Sequence, residues 1–214
     1  MLDYGIGNLR SAEKALAHVG ADARLTCDHG LVREAAGVVL PGVGNFGACM
    51  RALADHGLVE AVHGTVASGR PFLAICVGLQ LLYERSEESP GVAGLGVLEG
   101  EVRWLPKSVR RPQMQWNRLH LRRPDPAFEG LGDAPWMYFV HSLAVTPSAV
   151  GARDVVATCE YGGEVVAAVR RDNLLATQFH PEKSAAHGLH LLAAWVGACG
   201  PVAVRRGGDT VAEP

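Results

Sequence analysis

One cysteine in this sequence stands where a strand-like segment gives way to a helix-like one. The apolar run from Pro71 to Ile75 is followed by Cys76, and apolar residues then recur at helical spacing from Leu79. A sharp turn between a strand and a helix exposes the turn residue to the free N–H groups of the helix N-terminus, which favour a thiolate. Gly78 permits such a turn. Cys76 is therefore a candidate nucleophile, and the alternative is a small buried side chain.

A histidine and a glutamate follow another apolar strand, and a glycine-rich loop follows a third. His180 and Glu182 come directly after the segment 174–179, and the loop Pro41–Gly44 comes after the run at 37–40. In an open α/β sheet, ligands bind outside the carboxyl ends of the strands. A cysteine, a histidine and a carboxylate meeting there would act as nucleophile, base and orienting group, with glycine backbone as an oxyanion donor. The alternatives are a histidine satisfied by backbone, a solvated charge and a simple turn.

The first third of the chain alternates between helical and strand patterns. A helix is predicted from Leu9 to Val19 with Asn8 as its N-cap, and short strands are predicted at 23–26, 37–40 and 71–75. Two further helical pieces are separated by Gly57. This alternation predicts an α/β fold in three layers, with a mostly parallel central sheet flanked by helices.

Beyond Arg85 the pattern changes, because strand-like segments separated by turns replace the helices. These segments are 97–105, 114–121, 136–140, 155–160 and 165–170. They predict antiparallel strands added at one edge of the sheet. The buried strand 174–179 and a last helix capped by Ser184 complete the domain. One domain is thus expected at residues 1–200, followed by a disordered C-terminal tail at 201–214.

The bulk composition excludes several classes of protein. A formal net charge of -2 over 214 residues gives no broad attraction for nucleic acid. The sequence has neither an apolar run long enough for a membrane span nor a signal-peptide pattern, so a cytoplasmic protein without a membrane partner is expected. Five cysteines without a CxxC pair argue against a disulfide framework and against a zinc site.

Six motifs resemble those of the glutaminase subunits of imidazole glycerol phosphate synthase, which are class I (triad-type) glutamine amidotransferases of histidine biosynthesis. The motifs are LDYGIGNLRS at 2–11, LPGVGNFGACM at 40–50, PFLAICVGLQLL at 71–82, PQMQWN at 112–117, YFVHS at 138–142 and QFHPEKS at 178–184. The cysteine turn with HPE is typical of the whole class, and the other motifs narrow the resemblance to this subunit. The resemblance omits only the tail, and it implies a flavodoxin-like fold.

The resemblance implies a catalytic role for each matching position. Cys76 would attack the side-chain amide of glutamine, His180 would transfer the protons, and Glu182 would orient the imidazole. The resulting oxyanion would be held by the N–H of Val77 and by a second N–H from the Val43–Gly44 region, after a rearrangement of the PGVG strand. Three further positions would contact the substrate, namely Gln80, His141 and Ser142. The resemblance implies no cofactor and no metal.

The resemblance also implies a partner, because the ammonia would pass to a cyclase subunit with a (β/α)8 barrel in a heterodimer. The matching positions at the docking face and the ammonia path are Asn8, Arg10, Trp116, Asn117, Tyr138 and Lys183. Without the resemblance, Trp116 and Tyr138 would be interpreted as core or edge-strand aromatics. Lys183 would be interpreted as a surface charge at the start of a helix.

Four features depart from the usual pattern of these subunits. Gln115 stands where glycine usually precedes WN, Leu143 stands where an aromatic residue usually follows HS, and AICVGLQ replaces the commoner GICLGMQ. Several apolar residues usually precede DYG, so a chain extended upstream is expected to melt at a higher temperature. None of these departures removes Cys76, His180 or Glu182.

Three rival interpretations remain open from the sequence. A stand-alone cysteine hydrolase would use the same triad and would act without a partner. A glutaminase subunit of another class I amidotransferase would share the triad, although LDYGIGNLRS would not be expected there. A non-catalytic docking subunit would have lost a triad residue, whereas all three are present.

Overall fold

The computed structural model describes residues 1–6 and 9–200, so Asn8 and the predicted tail at 201–214 lie outside the described residues. Within those ranges the α-helices are α1 (Leu9–His18), α2 (His29–Glu34), α3 (Phe46–Asp55), α4 (Leu58–Ala67), α5 (Val77–Leu81) and α6 (Ala185–Ala198). The strands are β1 (Val38–Gly42), β2 (Phe72–Cys76), β3 (Arg85–Ser86), β4 (Gly100–Trp104), β5 (Gln113–Arg118), β6 (His120–Leu121), β7 (Trp136–His141), β8 (Leu143–Pro147), β9 (Val155–Glu160), β10 (Glu164–Arg171) and β11 (Leu174–Thr177). Short 3-10 helices lie at Pro126–Phe128, Gly151–Asp154 and Pro181–Lys183.

The main sheet places three parallel strands side by side. Its strand order is β1-β2-β11-β10-β9-β6, with parallel pairing from β1 to β2 and from β2 to β11. Every residue of these three parallel strands is buried, as expected for strands covered on both faces. The carboxyl ends of β1, β2 and β11 therefore meet at one edge of the sheet.

The antiparallel strands predicted from the second half of the chain are present. β10 pairs with β11 and with β9, and β6 pairs with β9, which extends one side of the main sheet. The remaining strands form a three-stranded sheet, β3-β4-β8, and a two-stranded ribbon, β5-β7. The prediction of an α/β fold with added antiparallel strands is confirmed. The sequence did not predict that some of these strands would form two small separate sheets.

The start of the chain is held against β1 and against the segment that follows α1. The N–H of Leu2 donates to the carbonyl of Val39 at 2.9 Å, and the N–H of Asp3 donates to the carbonyl of Thr26 at 3.0 Å. Leu2 pairs with Thr26 in an isolated parallel bridge. The strand predicted at 23–26 is therefore reduced to a single bridge.

Helices pack over the sheet and enclose a continuous apolar core. α1 contacts α6, and α3 contacts both α4 and α5. The core includes six aromatic side chains that are almost completely buried, namely Tyr4, Phe46, Phe72, Tyr83, Phe139 and Phe179. No helix in the described ranges combines the length and the apolar character needed to cross a membrane.

Candidate active site

The topology of the main sheet brings the three loops of interest to one edge. Gly42 is the register partner of Cys76 at the ends of β1 and β2. On the other side of β2, Ile75 pairs with Thr177 at the end of β11, three residues before His180. The glycine loop, the cysteine and the HPE segment thus leave adjacent strands in the same direction.

Cys76 lies at a strained turn between β2 and α5. Its backbone has φ 56° and ψ -109°, a region that non-glycine residues rarely adopt. Such a turn at the top of an α/β sheet presents a nucleophile beside the helix N-terminus. Two glycines allow this geometry, since a Cβ on Gly42 would lie 2.6 Å from the nitrogen of Gly78, and a Cβ on Gly78 would clash with the carbonyl oxygen of Leu40.

His180 connects the cysteine to Glu182. Its Nδ1 lies 2.7 Å from a carboxylate oxygen of Glu182, and only 3% and 6% of the two side chains are exposed. Because a carboxylate only accepts, Nδ1–H donates to it. Burial by itself lowers the pKa of His180, but hydrogen bonds with Cys76 and Glu182 outweigh burial and raise this pKa to about 10. The imidazole is therefore held as a proton carrier between a sulfur and a carboxylate.

The loop that carries His180 is tied to β7. The N–H of His180 donates to the carbonyl of Tyr138 at 2.9 Å. Ser184 was predicted to cap α6 with its side chain, but its hydroxyl donates to the carbonyl of His180 at 2.6 Å and accepts the N–H of Tyr138 at 3.0 Å. Ser184 therefore positions the histidine loop instead of capping the helix.

The predicted oxyanion residues flank the cysteine turn on two elements. Val77 is buried in the first turn of α5. On the other side, Val43 is half-buried, and Gly44 is exposed with φ 89°. The carbonyl groups of this loop are held by buried side chains, because the hydroxyl of Tyr4 donates to Pro41 at 2.5 Å and the thiol of Cys49 donates to Val43 at 3.3 Å.

Two of the predicted substrate-contacting residues share a single acceptor. Gln80 Nε2 lies 3.0 Å from the carbonyl oxygen of Leu143, and His141 Nδ1 lies 2.8 Å from the same oxygen. Burial lowers the pKa of His141 to about 4, so its imidazole is neutral at pH 7, and its Nε2 is buried without a hydrogen-bond partner among the described residues. Ser142 is half-buried beside it. A neutral Nε2 whose neighbouring nitrogen carries the proton can only accept a hydrogen bond.

The predicted docking residues include an aromatic pair on the β5-β7 ribbon, in which Trp116 is exposed and Tyr138 is half-buried. Trp116 and Tyr138 are register partners, and their rings meet edge to face at 6.0 Å between centroids. On the same face Met114 is 62% exposed, and at the end of the ribbon Trp136 is 47% exposed. This apolar surface adjoins the histidine loop, because Tyr138 bonds directly to His180.

The other predicted docking residues are placed differently. Arg10 is exposed on α1, and Lys183 is exposed next to Glu182. Asn117 uses its side-chain amide within the fold, since it donates to the carbonyl of Glu160 at 2.9 Å. Asn8 lies outside the described residues. Among these positions, Lys183 adjoins the triad directly in the chain.

Gln178 was not singled out from the sequence, although it is fully buried and contacts the nucleophile. Its side-chain Nε2 lies 3.7 Å from Cys76 Sγ, and its Oε1 lies 3.0 Å from Gln80 Nε2. The available signal was a glutamine inside an otherwise apolar segment. Tyr4 and Cys49, which hold the glycine loop, were also missed.

Comparison with known proteins places the chain in one family. The sequence model of class-I glutamine amidotransferases matches residues 1–196. The chain belongs to the class-I glutamine amidotransferase family. Among curated relatives of this amidotransferase, the imidazole glycerol phosphate synthase subunit HisH of Syntrophotalea carbinolica is 47% identical over 199 residues, covering 90% of this chain and 96% of the relative. The HisH subunit of Synechococcus elongatus is 48% identical over 200 residues, covering 92% and 91%.

Solved structures of other amidotransferases share the fold at low sequence identity. A crystal structure of a glutamine amidotransferase superposes with a TM-score of 0.72 at 20% identity, covering 94% of this chain and 98% of that chain. The PurLQS structure from Thermotoga maritima gives the same TM-score, 0.72, at 18% identity, covering 92% and 95%. The three-layer architecture is therefore that of the family.

Proposed function

We propose that this chain is a glutaminase subunit that hydrolyses glutamine and supplies ammonia to the cyclase subunit of imidazole glycerol phosphate synthase. The observation that carries the proposal is the buried row of Cys76, His180 and Glu182 at the strained end of β2. The 47% and 48% identities to subunits named for that synthase support glutamine as the substrate and histidine biosynthesis as the role.

The first half of the reaction forms a thioester. The Cys76 thiol gives its proton to His180, its sulfur attacks the side-chain amide carbon of glutamine, and the carbonyl oxygen becomes an oxyanion. The N–H of Val77 at the start of α5 and an N–H of the Val43–Gly44 region stabilise that charge. When the carbon–nitrogen bond breaks, His180 donates a proton to the nitrogen, and ammonia leaves.

The second half releases glutamate. A water molecule gives one proton to His180 and attacks the thioester carbon, and the sulfur then leaves as the thiolate. Glu182 keeps the Nδ1–H of His180 directed away from the sulfur, so that the other ring nitrogen performs both transfers. The net reaction consumes one glutamine and one water and gives one glutamate and one ammonia.

The ammonia is used by the partner. In this proposal, the cyclase has a (β/α)8 barrel, binds the exposed aromatic face of the β5-β7 ribbon, and forms imidazole glycerol phosphate and an aminoimidazole carboxamide ribotide. Trp116 and Tyr138 supply the apolar contact, and Lys183 with Arg10 supplies charge at its rim. Docking next to the histidine loop would couple the partner to the triad, because Tyr138 and His180 share a backbone hydrogen bond.

Co-purification with the cyclase subunit tests the proposal. We expect a stable heterodimer and a slow release of glutamate from the isolated chain, which increases when both the cyclase and its substrate are added. Glutamate release is measured by a coupled dehydrogenase assay. Equal release with and without the partner would instead identify a stand-alone hydrolase.

The pKa of His180 gives a pH-dependence prediction for Glu182→Gln. Because the pKa of His180 is raised to about 10, the protonated imidazole stabilises the folded protein. This contribution to the free energy of unfolding is fully present below about pH 6.5 and is lost as the pH rises towards 10. The wild-type complex should therefore keep its glutaminase activity until the pH approaches 10. Without the carboxylate, the alkaline decline should begin about one pH unit lower, so that roughly half of the activity is lost near pH 9. The measurement is kcat/KM against pH.

Glu160→Gln is the matched control for this pH profile. Glu160 is an exposed glutamate on β9 whose side chain accepts the N–H of Gly163 within a turn. Its replacement should leave the alkaline limb of the profile, the decline of kcat/KM at high pH, unchanged. An unshifted alkaline limb in Glu182→Gln would contradict the role given to Glu182.

A further inference from the structure

Gln178 is a buried amide that lies beside the reacting sulfur. It follows β11, it has no exposed surface, and its backbone N–H donates to the carbonyl of Ala167 at 2.8 Å. Its side-chain Nε2 is 3.7 Å from Cys76 Sγ, a distance at which an amide can donate to sulfur. No step of the proposed mechanism has so far used this side chain.

The orientation of the Gln178 amide follows from its neighbours. The carbonyl of Leu143 can only accept, so the Gln80 group 3.0 Å away from it must be the amide nitrogen. The same nitrogen lies 3.0 Å from Gln178 and uses its second hydrogen there, so Gln178 must present its oxygen to Gln80. The amide nitrogen of Gln178 therefore faces Cys76, and the hydrogen bonds all run in one direction.

These hydrogen bonds also determine which polar group of Gln80 can bind a ligand. Both amide hydrogens of Gln80 are taken, one by Leu143 and the other by Gln178. A substrate would therefore meet only the carbonyl oxygen of Gln80, which suits the N–H groups of a primary amide.

We propose that Gln178 is a positioning residue of the nucleophile, whose amide N–H group donates to the Cys76 sulfur and favours the thiolate, while Gln80 holds that amide in place. The inference rests on the proposed function for its importance in catalysis. An N–H donor strengthens when its acceptor becomes charged, so the contact is worth more to the thiolate than to the thiol. It complements His180, which approaches the same sulfur.

Two substitutions separate the donor from the rest of the side chain. Gln178→Glu replaces the amide nitrogen with an oxygen, which keeps the acceptor that Gln80 needs and places a carboxyl group beside the sulfur. Gln178→Met removes the donor without adding a charge. Thr177→Val is the control, because Thr177 is equally buried and its hydroxyl donates to the Phe179 carbonyl at 3.0 Å, away from the sulfur.

The test is the alkylation of Cys76 by iodoacetamide in the full chain, followed at the Cys76 peptide by mass spectrometry across pH. We expect both Gln178 variants to be alkylated roughly tenfold more slowly at pH 7, with their profiles displaced to higher pH, and Thr177→Val to follow the wild type. In the complex with the cyclase, kcat for glutamine should fall roughly 10- to 100-fold in the Gln178 variants with little change in KM.

The outcomes distinguish a failure of the role proposed for Gln178 from a failure of the proposed function. If Gln178→Glu and Gln178→Met are alkylated with the wild-type pH profile, the positioning role is wrong. If Gln178→Met has a lowered melting temperature, Gln178→Glu still decides, since it keeps the bond to Gln80. If the wild-type complex releases no glutamate, the proposed function fails, whereas the alkylation comparison remains valid.

Discussion

Replacing Cys76 by alanine should abolish glutamine-dependent turnover. The sulfur is the only protein atom in the proposed mechanism that forms a bond to the substrate, so its loss should lower glutamate release by the complex roughly 10³-fold or more. The same complex should still make imidazole glycerol phosphate from added ammonium salt, because the cyclase would need only ammonia. The measurement compares the two nitrogen sources at equal protein concentration.

Cys199→Ala is the matched control for the loss of a thiol. Cys199 ends α6, and its sulfur lies next to Gly37, which precedes β1 at the sheet edge opposite to Cys76. This variant should use glutamine and ammonium salt as the wild type does. Retained glutamine turnover in Cys76→Ala would refute the assignment of the nucleophile. Co-purification of the variant with the cyclase separates loss of the nucleophile from loss of the complex, because the cyclase alone would still use ammonium salt.

The sequence predicted the elements whose patterns are local. β9 was predicted at the observed residues 155–160, and β2 was predicted at 71–75 from its apolar run, one residue before its observed position. α2 was missed, because only one of its six residues is buried and its amphipathic signal is therefore weak. The β5-β7 ribbon depends on pairing between residues 18 to 28 positions apart, which propensity does not determine.

The candidate site shows the same division between local and long-range information. Cys76, His180 and Glu182 were singled out because each lies at or just after the end of a strand, and strand ends converge in this class of fold. Gln178 was missed because its role depends on Gln80, 98 residues away, and on the carbonyl of Leu143. Tyr4 was missed for the same reason, since its hydroxyl meets Pro41 only after the chain has folded. The roles given to all these side chains remain predictions that the proposed variants test.

Gly78→Ala should disrupt both the fold and the oxyanion site. A Cβ at this position would clash with the carbonyl oxygen of Leu40. Because this oxygen belongs to the backbone of the buried strand β1, and Gly78 lies in the buried helix α5, neither can move alone. We expect a loss of about 3 kcal/mol or more in the free energy of unfolding. In the protein that still folds, displacement of the Val77 N–H should lower kcat roughly 100-fold. Urea unfolding and glutamate release measure the two effects.

The opposite result is expected for Gly64→Ala, which provides the control. Gly64 is exposed inside α4, and a Cβ there would meet nothing within 4 Å. Alanine should therefore stabilise the protein by about 0.5–1 kcal/mol and leave activity unchanged. If Gly78→Ala instead unfolds at the wild-type urea concentration and retains its kcat, the close contact between β1 and α5 does not position the nucleophile. A loss at Gly78 together with a gain at Gly64 would show that the requirement for glycine is steric and confined to the cysteine turn.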